Sequence, residues 1–199
     1  MDECFPAENA FLVSLERARS LCALQHYLLE NNTAVLETTD MLRASVVLSV
    51  SAFDYLIHEL FRIEVLARLR NKKEIEYLQI PFNIGVLEKS KREELIDRFV
   101  RERNSHRTFV DPQKFSEALR CFVQSPWNNI AAQIGVQEEN IKQRLRMIYR
   151  WRNRIAHEAD INPVLAGIEL WPIVNEDVIE AIADLEKIGL AAVSMIREA

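Results

Sequence analysis

Histidine is the side chain whose ordinary pKa lets it take up or release a proton near neutral pH. The chain carries four: His26, His58, His106 and His157. Three of them follow an arginine at short range, Arg19 before His26, Arg101 before His106 and Arg152 before His157. Their contexts differ. Arg19 is followed by Ser20 within the first apolar-periodic segment. Arg101 is followed by Glu102 in a highly charged segment expected to end near Asn104-Ser105. Only Arg152-Asn153-Arg154-Ile155-Ala156-His157 joins an Arg-Asn pair and an apolar Ile155-Ala156 within a segment that has a packed face. Metal-free cleavage of an RNA phosphodiester needs a base for the 2′-hydroxyl, an acid for the leaving 5′-oxygen and a cation for the crowded phosphate. Histidine can be base or acid. Arginine offers a permanent forked charge, and asparagine can orient either partner. We therefore read His157 as the proton-transfer group, Arg152 as the phosphate ligand and Asn153 as the orienting residue. His26 and His106 are expected outside the site, and His58 reads as a satisfied core or interface residue.

Helix geometry constrains this trio. Asn153 and His157 are four apart and share a face. Arg152 and His157 are five apart, about 140° around an ideal helix. Both can face one phosphate only if Arg152 reaches across or the helix ends near His157. A single histidine also supplies a single proton-transfer group. A symmetric dimer joining two copies of the segment would answer both problems.

The elements around this segment are helical. Apolar residues recur at helical spacing over 7–30, with an end near Asn31-Asn32-Thr33. Thr39-Asp40 reads as a cap for a long helix to about Arg70, apolar on most sides from Val46 to Ile57, which predicts a central buried helix. Residues 71–87, with Pro81 and Gly85, read as irregular. A charged helix over 88–104 follows, then one opened by Asp111-Pro112 and running to about Gln124, and a short one from Pro126 to near Gly135. A long helix over 137–159 carries the Arg152–His157 segment. Pro163, Gly167 and Pro172 mark a loop, and Asn175-Glu176-Asp177 opens a last helix to about Glu198. Long apolar helices at both ends predict an all-α four-helix bundle. We expect one domain over 1–199, with a charged helical insertion at about 71–136.

Composition narrows the classes. Apolar residues make up 49% and charged residues 28%, a mixture that supports a core and argues against disorder. The net charge of −5 gives no bulk sign of nucleic-acid binding, so any RNA contact must be local. Lys142, Arg144, Arg146, Arg150, Arg152 and Arg154 supply such a stripe on one helix, with Tyr149 and Trp151 among them for stacking. Most of these cations can pair with Glu138, Glu139, Glu158 or Asp160. Arg150 and Arg154, flanking the trio, are the best exceptions. The three cysteines, Cys4, Cys22 and Cys121, have no C-x-x-C spacing and read as buried free thiols of a cytoplasmic protein. The acidic N-terminus lacks signal-peptide order, and Ala44–Phe53 is too short to span a bilayer, so no membrane association is expected. No metal-ligand cluster, glycine-rich phosphate loop or G-x-S-x-G elbow is present, and neither metal nor cofactor is expected. Trp127 and Trp171 read as packing residues.

Arg152-Asn153-Arg154-Ile155-Ala156-His157 resembles the Arg-x4–6-His motif of HEPN domains, in which the first x is commonly polar. Ser49-Val50-Ser51-Ala52-Phe53-Asp54-Tyr55-Leu56 resembles that superfamily's second helix, where a serine and an acid three apart match Ser51 and Asp54. Helix order and the insertion point to the RiboL-PSP-HEPN branch. The resemblance implies an endoribonuclease with a composite homodimeric site, a 2′,3′-cyclic phosphate product, and often a toxin or anti-phage role with an antitoxin or trigger protein as partner. Ser51 and Asp54 would then support the site, Asp54 by pairing with Arg152 or by a structural role. Ala159 stands where a related HEPN group carries a modifiable tyrosine, so that regulation is not expected. The rival is a non-catalytic helical module that binds RNA or a protein.

Overall fold

The computed structural model describes residues 2–31, 37–73, 75, 78–79, 89–164 and 169–199. Seven helices lie among them: α1 (Phe5–Glu30), α2 (Thr39–Arg70), α3 (Lys89–Asn104), α4 (Pro112–Leu119), α5 (Pro126–Ile134), α6 (Glu138–His157) and α7 (Asn175–Arg197). The described residues contain no strand, only an isolated antiparallel bridge between Ile161 and Leu170. Most of the expected irregular stretch 71–87, including Pro81 and Gly85, lies outside the described residues, as do Asn32, Thr33 and Gly167.

The four long helices α1, α2, α6 and α7 form the bundle, with α2 packed against the other three. On α1 the buried side chains Ala7, Phe11, Leu15, Ala18 and Cys22 recur every three or four residues, which gives one stripe facing the core. The middle of α2 is buried where it meets its three neighbours, as the apolar run from Val46 to Ile57 predicts, while Ser51 and Tyr55 stay exposed and Asp54 half-buried on its remaining side. By length and composition α2 could cross a bilayer. Its apolar surface is instead covered by its neighbours, with Phe53, Leu56, Ile57 and Leu60 fully buried. On α7, Gly189 lets α1 approach closely. A Cβ there would stand 2.7 Å from the Phe11 ring and 3.0 Å from Leu56, distances that force a shift. This explains why a residue weak in helix propensity sits mid-helix.

The insertion is fastened by aromatic contacts. Phe11 meets Phe53 edge-on at 6.5 Å, Phe53 stacks on Phe115 at 5.8 Å, and Phe115 tilts against Trp127 at 5.0 Å. These rings run from α1 through α2 to α4 and α5, and such pairs contribute beyond their buried area. Trp127 is therefore the packing residue expected of it.

Helix ends differ from expectation in specific ways. Asp111 caps α4 as predicted, its carboxylate accepting from the Gln113 amide at 2.9 Å with Pro112 in the first turn. However, α4 stops at Leu119 and not near Gln124. The chain there turns through three-residue bonds, and Arg68 on α2 takes the Phe122 carbonyl at 2.8 Å. Glu37, one turn ahead of Asp40, accepts from the Thr39 amide at 3.0 Å. Asn175 does not cap α7. Its amide reaches back to the Cys22 carbonyl at 2.7 Å and to Gln25 at 2.9 Å, tying α7 to α1.

Candidate active site

The apolar side of α6, with Ile141, Leu145 and Ile148 buried in the core, fixes the rotation of that helix. Arg152, Asn153 and Ile155 continue along it half-buried, and His157 is its last residue and exposed. The helix ends there because the chain goes left-handed at Ala159 (φ 51°) and Asp160 (φ 54°). The amides of Glu158 and Asp160 both turn back to the Arg154 carbonyl at 3.0 Å. A left-handed alanine costs on the order of 1 kcal/mol, and a buried ion-pair network holds it in place. The Asp160 carboxylate, 1% exposed, accepts from Arg154 Nε at 2.6 Å and from Arg43 Nε of α2 at 2.8 Å. Arg43 also donates to the Trp171 carbonyl at 2.8 Å, the Trp171 amide donates to the Asp160 carbonyl at 2.9 Å, and the Arg154 guanidinium lies 4.7 Å over the Trp171 ring. Trp171 is thus half-buried as a lid on the arginine, not a core residue.

This helix end settles the geometric problem posed by the sequence. Arg152 Nη1 reaches across the last turn to donate to His157 Nε2 at 3.2 Å and to Asn153 Oδ1 at 3.1 Å. An arginine has no acceptor, so Nε2 receives this bond on its lone pair and the ring proton sits on Nδ1. The trio is assembled within one chain.

The opposite wall comes from α2 and from the segment that follows α3. Asp54 does not pair with Arg152, as the sequence suggested it could. Its carboxylate accepts from the Thr108 hydroxyl at 2.7 Å and from the amides of Phe109 and Val110 at 2.5 and 3.1 Å. Burial pushes the Asp54 carboxyl above the usual carboxylate range, and those three donors and His58 oppose the shift. One turn on, a ring nitrogen of His58 meets the Arg107 carbonyl at 3.0 Å, and the ring packs edge-on to Phe109 at 4.6 Å. Asp54 and His58 thereby hold the backbone of 107–110 against α2.

Between these walls lies a cleft of about 590 Å³. Ser51, Asp54, Arg152, Asn153 and His157 all line it, so five of the seven residues singled out from the sequence face one space. His58 and His106, which the sequence reading did not place in the site, line it too, as does Tyr149 of the basic stripe. His106 was placed outside the site because Arg101, the arginine ahead of it, lies in a highly charged segment. The clue was its position between the helix stop at Asn104-Ser105 and the Asp111-Pro112 start, in a short joint that must fold back onto the bundle.

The basic stripe divides by partner. Lys142 pairs with Glu138, Arg144 with Glu180 at 2.7 Å, and Arg146 with Glu139 at 2.9 Å. Arg154, expected to stand clear of acids, is held by Asp160, which lies six residues on and is brought back by the left-handed turn. Arg150 and Arg152 have no acidic partner among the described residues, but the exposed Arg150 lines a separate hollow with Asp111, Glu117 and Glu138 and does not line the cleft. A guanidinium with neutral partners and no carboxylate is an anion site in waiting. The three cysteines are buried, as expected.

A family model described as RiboL-PSP-HEPN matches residues 14–196, which takes in all four bundle helices and the Arg152–His157 segment. No curated protein and no solved structure matches the chain. With that match spanning nearly its whole length and its all-helical fold, the chain belongs to the RiboL-PSP-HEPN family of HEPN domains.

Proposed function

We propose that the protein is a metal-independent endoribonuclease that cuts RNA by attack of a 2′-hydroxyl on the neighbouring phosphate. HEPN domains as a family are linked to ribonuclease activity. The observation that carries the reading is Arg152. It lines the cleft without a carboxylate partner among the described residues, touches His157 Nε2 and Asn153 Oδ1, and keeps a buried Nε–H with no partner. Burying part of a guanidinium without a counter-charge is costly, and a phosphate in the cleft would supply that charge. As the phosphate draws the guanidinium, His157 Nε2 is released to take the 2′-hydroxyl proton. The 2′-oxygen then bonds to phosphorus, the bond to the 5′-oxygen breaks, and that oxygen leaves with a proton. The products are a 2′,3′-cyclic phosphate and a 5′-hydroxyl. Asn153 orients Arg152, Ser51 lies at the cleft edge within reach of RNA, and Arg150 extends the cationic surface. Arg154 acts on the site through Asp160.

The family reading further implies a cytoplasmic toxin or anti-phage effector working as a homodimer under an antitoxin or trigger protein. The sequence argument for a dimer rested on one histidine per site. The cleft holds more than one, so a dimer would join two clefts and need not be the source of the second proton.

Arg152→Lys separates catalysis from binding and folding. Lysine keeps the charge and loses the fork. The variant folds and binds RNA nearly as the parent does, and its single-turnover cleavage falls on the order of 100-fold, as for loss of one preorganised donor. Parental cleavage by this variant would make Arg152 structural. RNA bound in the cleft but never cut by the parent would favour the non-catalytic module.

A further inference from the structure

We propose that His106 is the second proton-transfer group of the same cleft, supplied in cis, and that it protonates the leaving 5′-oxygen while His157 takes the 2′-hydroxyl proton. This rests on the ribonuclease reading above. Cleavage by this route needs one group that accepts a proton and one that gives it. The Arg152 contact leaves His157 Nε2 with a lone pair, which suits the accepting role. The proton donor must then be another group at the cleft.

Three side chains could serve. His58 is engaged with the Arg107 carbonyl through a ring nitrogen and packed against Phe109. A carbonyl only accepts, so that nitrogen carries the proton and holds it there. Tyr149 is half-buried on α6, and a phenol's ordinary pKa near 10 makes it the weaker acid at neutral pH. His106 is exposed, lines the cleft, and makes no hydrogen bond or ion pair among the described residues. It is the cleft imidazole not already committed to another residue.

The second observation is how much structure holds His106 in place. Ser105 and Arg107 close tight turns onto Glu102 and Asn104 at 3.3 and 2.8 Å. Just beyond, Asp54 accepts from Thr108, Phe109 and Val110, and His58 takes the Arg107 carbonyl. Phe109 and Val110 are completely buried beneath. An exposed turn of no consequence does not need a buried carboxylate from the central helix. This one places His106 on the cleft that Arg152 and His157 also line, so Asp54 and His58 are positioning residues for it. Balance is kept: one proton passes from the 2′-hydroxyl to His157 and one from His106 to the 5′-oxygen. No oxidant, reductant or metal takes part.

The test uses the full chain and two RNAs with a single cleavable linkage, one ordinary and one with sulfur replacing the bridging 5′-oxygen. A thiolate leaves without being protonated, so loss of the acid is hidden on the sulfur substrate and loss of the base is not. His106→Ala cuts the ordinary RNA at least about 100-fold more slowly, in the range for a lost acid, and cuts the sulfur RNA at nearly the parental rate. His157→Ala is slow on both. Parental cutting of the ordinary RNA by His106→Ala, or equal losses on both RNAs, overturns the proposal. Sulfur rescue of Tyr149→Phe in its place gives the acid to Tyr149. An equimolar mixture of His106→Ala and His157→Ala stays inactive if both groups act in cis. Recovered cutting would place them in different protomers and overturn the in-cis assignment. If the parent leaves both RNAs intact, the ribonuclease reading itself fails and His106 falls with it.

Discussion

His157→Ala removes RNA cleavage by about 100-fold to 10,000-fold, the range for a lost general acid or base, and leaves the melting temperature nearly unchanged. His157 is the exposed last residue of α6, and its side chain makes its polar contact with Arg152 among the described residues. Little packing is lost with it, so a large rate effect without a stability effect identifies a chemical role. His26→Ala is the control. His26 is exposed on α1 and sits 3.2 Å from Glu30, away from the cleft. Its loss leaves cleavage at the parental rate. Cleavage by His157→Ala at the parental rate, or loss of cleavage in His26→Ala, would place the site away from Arg152 and His157.

Asp160→Ala has the largest expected effect on stability. It removes the shared partner of Arg43 and Arg154 and leaves the buried Arg43, 8% exposed, with the solvent-exposed Asp40 at 3.5 Å as its remaining counter-charge among the described residues. Breaking such a pair costs about 3–5 kcal/mol. For a chain of this size that is a drop of between about 6 and 20 °C in melting temperature. The same change frees the left-handed turn at Ala159 and Asp160 that ends α6, so cleavage falls in the fraction that remains folded. Joining it to Arg43→Met restores much of the stability, because the two residues share one network and their losses do not add. Equilibrium urea unfolding of the single and double variants measures both terms. A single-variant loss within about 1 kcal/mol of the parent would mean that the network is peripheral, as exposed pairs are.

The bundle was legible in the sequence because its signal is redundant. Phe11, Leu15, Ala18 and Cys22 repeat at helical spacing on α1, and the apolar run of α2 could be buried only by several neighbours. The trio on α6 was legible for a related reason, since an Arg-Asn pair four residues ahead of a histidine puts polar groups on a face that otherwise reads as core. What the sequence hid were partners brought together by turns. Asp54 showed as an acid on a buried helix, but its actual partners are backbone amides more than fifty residues away, and amides leave no mark in composition. Arg43 drew no expectation from the sequence, since the buried acid that holds it lies 117 residues on. That acid, Asp160, becomes reachable only through two left-handed residues that no glycine announced. His106 was judged by the charges of α3, to which it does not belong. One residue past the end of that helix, the chain turns into the cleft.

The central claim is that this chain cuts RNA with its own side chains. Its most direct measurement is incubation of purified protein with end-labelled RNA in EDTA, followed by mass spectrometry of the new ends. The account predicts cutting that survives chelation and leaves a 2′,3′-cyclic phosphate opposite a 5′-hydroxyl. Cutting that stops on chelation and leaves a 3′-hydroxyl opposite a 5′-phosphate would contradict it, because those are the ends left by a metal-activated water attacking in line.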